Sequence, residues 1–432
     1  FLKILNCLKY GKNDQRVTPE PLMRKHKTGS AKNGGIVQIA HQLGYNIFRY
    51  FENLKPGGNG GGWVDTGGMR YLDRYAEQLW LTLFAKAPEI TLFDIRQLQY
   101  PIRENLRAPW QGSGTSFDYA DMMKPVTLPG KAPVVPATLA RAAGWTFEKV
   151  DRFLGALGNP SGLKCYKPFH STGEDFLPNF LGMAGIPIDL VPEFPAGEKV
   201  ILLTEASVAD PSLVGKIKRQ LQEGGTAVVT TGLLRALQDR GLGDIAEIRC
   251  TDRKALVSQF VAGWGPPLES TRQILIPQVT YLTNDSWEEI SALDDTNGWP
   301  VLHFAGYSTG KLYVLTIPDN FTDLCFYPEP VLNRIRQTLT SHLEARLEGP
   351  GYASLFLYDN DAFIAESFAD SVIRVKIVTA EPFRELQDLE TGETFTAVKR
   401  QIPQRQPRAM ITEHVFSLEL KPHSFKVLRG KE

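Results

Sequence analysis

The chain has 432 residues, which at about 100–200 residues per domain predicts two to four domains. Lys plus Arg and Asp plus Glu are 48 each, so the net charge is zero and a dedicated DNA- or RNA-binding role is excluded. No apolar run approaches the roughly 20 residues that a membrane-spanning helix needs, and a 42% hydrophobic content excludes wholesale disorder.

The chain begins at Phe1 with FLKILNCL, which reads as a buried strand, Phe1–Leu8. A buried strand needs a partner at its edge, so further sequence upstream is expected. Gly34–Leu43 has helical spacing, with Ile36, Ile39, Ala40 and Leu43 on one side. Tyr45–Phe51 (YNIFRYF) is β-prone by composition, and Glu52 and Asn53 follow it directly. Pro56 to Gly68 is a loop with seven glycines that holds Asn59, Trp63 and Asp65. It lacks GxxxxGK[ST], so it is not a phosphate loop. Met69–Ala85 is an amphipathic helix, and Glu89–Ile95 is the next strand, ending in Asp94 and leading to Arg96. Gln99–Pro136 is loop-like. Thr146–Leu157 is a further amphipathic helix. Strands alternating with helices predict parallel α/β structure.

A connector rich in proline and aromatics comes next, CYKPFHSTGEDFLPNFLGMAGIPIDLVPEFP, with His170, Glu174 and Asp175. A second α/β rhythm then follows: strand Lys199–Thr204, helix Pro211–Gln222, strand Thr226–Thr231, strands Val301–Ala305 and Lys311–Ile317, helix Glu329–Leu347. This rhythm predicts a doubly wound sheet of flavodoxin type. Beyond Gly349-Pro350-Gly351 the pattern changes to short strands at Ser354–Tyr358, Phe363–Phe368, Val372–Val378 and Phe416–Leu420, an antiparallel sandwich.

Active residues of parallel α/β folds sit at the carboxyl ends of strands, because helices cover the rest. Glu52, at the end of the expected strand, is therefore the candidate catalytic carboxylate. Asn53, Asn59, Trp63, Asp65, Asp94 and Arg96 are the candidate substrate contacts: an indole stacks on a sugar face, and amides and carboxylates bond its hydroxyls. The second α/β unit is expected to be catalytically empty, since Cys250 in EIRCTD lacks the flanking glycines of a nucleophile elbow. Cys7, Cys165, Cys250 and Cys325 make no CxxC and leave the compartment open. No metal and no cofactor is called for.

This order of parts resembles glycoside hydrolases of the beta-galactosidase type typified by family 42. The residues that carry it are LDRYAEQLWLTLFAKAPEITLFDIR, then VILLTEA, EGGTAVVTTG and GKLYVLTIPDN. The resemblance implies an α/β protein in three parts. Residues 1–160 are the C-terminal part of a (β/α)8 barrel, 161–348 a flavodoxin-like unit resembling class I amidotransferases, and 349–432 an antiparallel β-sandwich. It implies Glu52 as a glycosidase nucleophile at the end of barrel strand seven. It puts the acid/base Glu at the end of strand four, upstream of Phe1. The implied activity is a two-carboxylate, retaining hydrolysis of glycosidic bonds in oligo- or polysaccharides. The implied partners are a carbohydrate substrate and further copies of the chain in a trimer or dimer. The competing readings are a non-catalytic carbohydrate-binding or scaffold protein on the same folds, and an amidotransferase-like enzyme using Cys250.

Overall fold

The computed structural model describes residues 41–431, apart from 67, 68, 128, 283–285, 296 and 404–409. The expected strand Phe1–Leu8 and most of the expected helix Gly34–Leu43 lie outside the described residues.

The first element corrects the sequence reading. Leu43–Leu54 is a helix, α1, and includes the whole of YNIFRYF. Its buried residues, Tyr45, Asn46, Phe48 and Arg49, are spaced one turn apart and form a single face. Aromatic content favours a strand, but burial of this face against its neighbours overrides it. The strand β1 (Gly62–Asp65) follows, then helix α2 (Leu72–Phe84) and strand β2 (Ile90–Phe93). β1 and β2 pair in parallel, with Gly62 opposite Ile90 and Asp65 opposite Phe93. Short helices α3 (Ile95–Leu98) and α4 (Tyr119–Met122) punctuate the long loop, and α5 (Ala140–Leu154) closes this part.

A two-residue strand β3 (Pro160–Ser161) leads to β4 (Leu163–Tyr166), α6 (Leu177–Met183) and β5 (Ile188–Val191). The stretch expected as a connector is therefore the first strand–helix–strand of a large sheet. Pro178 starts α6 and the other prolines punctuate the loops; Tyr166 and Phe180 are buried, while Phe169 is exposed. Then come β6 (Val200–Leu203), α7 (Leu213–Gln222), β7 (Thr226–Thr230), α8 (Thr231–Leu237), β8 (Ile248–Ala262), β9 (Leu268–Tyr281), β10 (Ser286–Leu293), β11 (Gly298–Tyr307) and β12 (Gly310–Leu315). The sheet order is β5-β4-β6-β7-β12-β11-β10-β8-β9. The first five strands are parallel and the last four are added antiparallel. Val200–Leu203 is buried throughout, as a central strand covered on both faces must be.

Helix α9 (Glu329–Thr340) stops seven residues before the expected end at Leu347. The remainder forms strand β13 (Ala345–Glu348), paired with a strand of the last unit. That unit continues with β14 (Ala353–Tyr358), β15 (Ala362–Ser367), β16 (Ile373–Thr379), β17 (Glu385–Asp388), β18 (Thr394–Thr396), β19 (Val398–Pro403), β20 (Met410–Leu420) and β21 (Ser424–Lys431). Two antiparallel sheets result, β13-β16-β20-β19 and β18-β17-β21-β15-β14-β3. Leu347, Leu355, Leu357, Phe363, Phe416 and Leu418 share the core between them.

The larger of these sheets is covered on its other face as well. Phe356 and Tyr358 of β14 belong to the core that includes α2 and α5. The Tyr358 hydroxyl donates to the Phe84 carbonyl at 2.9 Å. The Trp80 indole of α2 packs edge-on to Phe425 of β21, with ring centres 5.1 Å apart. Helix α2 is thus both the crossover of the β1–β2 pair and the seat of the C-terminal unit. Among the described residues no helix is long and apolar enough to cross a membrane.

Candidate active site

The parallel pair β1–β2 places four of the sequence-predicted residues together. Its inner face, Val64, Ile90 and Leu92, packs on the core. Its outer face is open: Trp63 is 61% exposed and lies flat on Phe93, 5.3 Å between ring centres and 8° between planes. Asp65 is the last residue of β1, in register with Phe93, the last of β2. Asp94 follows immediately, and the Phe93–Asp94 peptide bond is cis. The Asp94 carboxylate caps α3, accepting from the Gln97 backbone N–H at 3.0 Å. Arg96 reaches it at 3.5 Å with a guanidinium that is otherwise in solvent. The backbone N–H of Gln97, with help from Arg96, holds the Asp94 carboxyl below its ordinary pKa, so it stays ionised. The strand ends are tied across their tips, because the Thr66 hydroxyl donates to the Gln97 side-chain carbonyl at 2.5 Å.

The remaining predicted residues lie elsewhere. Glu52 is in the last turn of α1, not at a strand end, and accepts from the Gly57 backbone N–H at 2.7 Å. Asn53, also on α1, gives its amide to Asp189 and to the Leu190 carbonyl, both at 2.8 Å, and so pins α1 to β5. Asn59 sits in the loop before β1, at the amino end of the strand, with its amide on the Phe48 carbonyl at 3.3 Å. The glycines of that loop answer to packing. A Cβ on Gly62 would stand 1.5 Å from the Phe48 ring, and one on Gly61 1.9 Å from the Glu89 carbonyl oxygen.

At the carboxyl ends of the parallel strands in the large sheet lies one of the chain's own carboxylates. Glu174, on the loop after β4, accepts from the Thr230 hydroxyl at 2.6 Å and from the Glu205 N–H at 2.8 Å. Burial pushes its pKa up, against the pull of those donors. Cys250 is buried on β8 with its thiol on the Thr231 carbonyl, and burial raises it to about 11. That is the state of an inert structural thiol.

A third cluster was invisible in the sequence. His41, Arg74 and Glu77 meet His423, which is 349 residues from Arg74. No local pattern announces a contact of that separation.

Three family models match consecutive stretches of the chain: "probable glycosyl hydrolase, catalytic domain" over residues 29–156, "uncharacterized protein SSO3021, second domain" over 158–320, and "probable glycosyl hydrolase, C-terminal domain" over 344–430. No curated protein matches. Among solved structures, Gan42B, a GH42 beta-galactosidase from G. stearothermophilus, and a catalytic mutant of it are each 11% identical. Each match has a TM-score of 0.52 and covers 94% of this chain and 58% of that one. A beta-galactosidase from Bacillus circulans sp. alkalophilus is 11% identical over 92% of this chain and 58% of its own, with a TM-score of 0.48. The chain is a mixed α/β protein, two stretches of which match models of probable glycosyl hydrolase domains. In fold it resembles the GH42 beta-galactosidases, and it spans 58% of the length of those solved structures.

Proposed function

We propose that the chain is part of a glycoside hydrolase whose candidate site is the carboxyl end of β1 and β2. In this reading β1–α2–β2 supplies the last two strands of a (β/α)8 barrel. The parallel strands of the large sheet, in chain order 2-1-3-4-5, form a flavodoxin-like unit. The two C-terminal sheets form a sandwich. The observation that carries the reading is the pair of acidic residues at adjacent parallel strand ends, Asp65 and Asp94, inside the stretch matched by the catalytic-domain model.

Because YNIFRYF is helical and Glu52 stands at no strand end, the nucleophile's position passes to Asp65. A carboxylate there attacks the anomeric carbon as the glycosidic C–O bond breaks, and the departing oxygen takes a proton from a carboxylic acid. Water then cleaves the glycosyl ester and returns a proton to that acid's conjugate base. The partner acid would come from a barrel strand other than these two. A separation of about 5–5.5 Å between the two carboxyls gives retention, and about 6.5–9.5 Å gives inversion. Trp63 and Phe93 offer a flat apolar wall for a sugar ring, and Asp94 with Arg96 offers acceptors and donors for hydroxyls. Further copies of the chain would contact the large sheet, where Trp264 at the β8–β9 turn is 100% exposed.

The test is turnover of aryl glycosides by the wild-type protein and by Asp65→Asn, with sugar binding followed by calorimetry. The reading requires that Asp65→Asn lose at least about 10³-fold in kcat while still binding the sugar. Unchanged turnover in Asp65→Asn overturns the assignment. Binding without any turnover in the wild type favours the carbohydrate-binding reading.

A further inference from the structure

We propose that Trp110 is a positioning residue for the candidate site: it joins the two loops that leave the strand ends at Asp65 and Asp94 and fixes both to the C-terminal β unit. The proposal rests on the reading of those strand ends as the sugar site. The segment after β2 is long, running from Asp94, the cap of α3, to the start of α5 at Ala140. A loop of that length is either fastened or mobile. Its neck is closed by two backbone bonds, from the Ile102 N–H to the Ala137 carbonyl at 2.9 Å and from the Leu139 N–H to the Tyr100 carbonyl at 3.0 Å. Asp94 and Arg96 lie between β2 and that neck.

Beyond the neck the loop is fastened to the C-terminal unit at two places. The first is Ser116, which is buried. Its backbone N–H donates to the Ser424 hydroxyl at 2.8 Å. Its own hydroxyl accepts from the Phe425 N–H at 2.9 Å and donates to the Phe425 carbonyl at 3.3 Å. The loop is thus bonded to the first two residues of β21. The second is Trp110. Its indole stacks on the ring of His423, in the turn between β20 and β21, with 4.4 Å between centres and 25° between planes. It also meets Tyr71 edge to face, 5.3 Å between centres, and its N–H donates to the Asp73 carboxylate. Tyr71 is the residue before α2 and Asp73 stands in the first turn of that helix, so both belong to the path that leaves Asp65. One indole therefore touches the connection after β1, lies in the connection after β2, and rests on the C-terminal unit.

The site needs such a joint. Asp65 is held inside the β1–β2 register, opposite Phe93. Asp94 and Arg96 stand past the end of β2, where the ladder no longer holds them. The bond between Thr66 and Gln97 ties the two connections close to the strands, and Trp110 ties them again farther out. A misplacement of about 1 Å between reacting or binding groups costs up to about 10²-fold. An indole suits the task, because it is large and rigid and carries a donor at one end. Phenylalanine can copy the ring contacts but not the bond to Asp73, and alanine can copy neither.

The experiment compares the full chain with Trp110→Phe and Trp110→Ala, each studied well below its own thermal midpoint. All seven tryptophans are replaced by 5-fluorotryptophan, and the ¹⁹F signal of Trp63 is assigned by its loss in Trp63→Phe. Trp63 lies two residues before Asp65 and is stacked on Phe93, so its signal reports on the strand ends. Trp110→Ala should shift or broaden that signal, and Trp110→Phe should do so less. Trypsin should cut after Arg107, which is exposed in the loop, at least about 10-fold faster in Trp110→Ala. For the para-nitrophenyl glycoside that wild type turns over fastest, KM should rise about 10-fold in Trp110→Ala while kcat stays within about 3-fold, because Asp65 keeps its strand position and Asp94 and Arg96 lose theirs. Trp110→Phe should recover most of that KM. An unmoved Trp63 signal, an unchanged trypsin rate or a wild-type KM in Trp110→Ala each overturns the proposal, even where the thermal midpoint falls, since a loss of stability alone moves neither the signal nor KM under these conditions. A wild type that turns over no glycoside removes the hydrolase reading instead, and the Trp63 signal and the trypsin rate then decide whether Trp110 holds the strand ends.

Discussion

Arg336 of α9, fully buried, donates to the carbonyl of Gly349 at 2.6 Å. The same guanidinium reaches the Ala184 carbonyl at 2.6 Å and the Pro350 carbonyl at 2.8 Å. One side chain therefore ties the end of α6, helix α9 and the Gly349-Pro350 junction into the C-terminal unit. Among the described residues no carboxylate is hydrogen-bonded to it, and burial lowers its pKa to about 10, still well above neutrality. Arg336→Met would keep the volume and leave two buried carbonyls and a part-buried one unpaired, at about 1 kcal/mol each. A loss of about 3 kcal/mol is expected, read as a fall in the urea midpoint. Arg336→Lys should recover only part of it, since an ammonium cannot span three carbonyls held in a fork.

Gly62 brings β1 against α1, and the space for a side chain there is filled by the Phe48 ring. Gly62→Ala forces that ring aside in a packed core, at about 1–3 kcal/mol. Gly60, with nothing within 4 Å of a Cβ, should accept alanine with little change. Thermal unfolding of the two variants separates them. Equal effects would mean the loop is not held as described.

Legibility in the sequence followed how locally each element is determined. The helix at Leu72–Phe84 and the strands at Val200–Leu203 and Thr226–Thr230 carry their periodicity in their own residues, and each lies within the expected range. Residues 45–51 did not, because Tyr, Phe and Ile favour strands while the burial face of Tyr45, Phe48 and Arg49 is helical. The strand reading puts Glu52 at a strand end, whereas it lies in the last turn of α1. Asp65 and Asp94 are expected substrate contacts in the sequence, but their position at paired strand ends needed the β1–β2 register. The strand pair β4–β5 was hidden by the prolines and aromatics around it. The His41–Glu77–His423 cluster depends on chain closure over hundreds of residues, which no pattern of spacing records.

The three described cysteines should resist alkylation in the folded chain. Cys165, Cys250 and Cys325 are all buried, and burial raises their thiols to about 12, 11 and 12. At pH 8 the thiolate fraction at pKa 11 is about 10⁻³. Iodoacetamide followed by mass spectrometry should leave these three unmodified until urea is added. Rapid labelling of Cys250 with loss of activity would instead support a nucleophile in the second unit.

Glu174 gives the last prediction, and its sign is opposite to that of a salt-bridged carboxylate. Its folded pKa is raised by burial, so between the ordinary value near 4.5 and the raised one the folded chain binds more protons than the unfolded. Stability from this group is therefore greatest in acid and declines as pH rises through the raised pKa. Glu174→Gln removes the titration. Its side-chain carbonyl can still accept from the Thr230 hydroxyl and the Glu205 N–H. The urea midpoint of wild type, measured relative to Glu174→Gln, should fall between pH 5 and pH 8. A relative midpoint that stays flat over that range would show that the donors around Glu174 offset or outweigh its burial, since a carboxylate ionised in both the folded and the unfolded chain adds no pH dependence there.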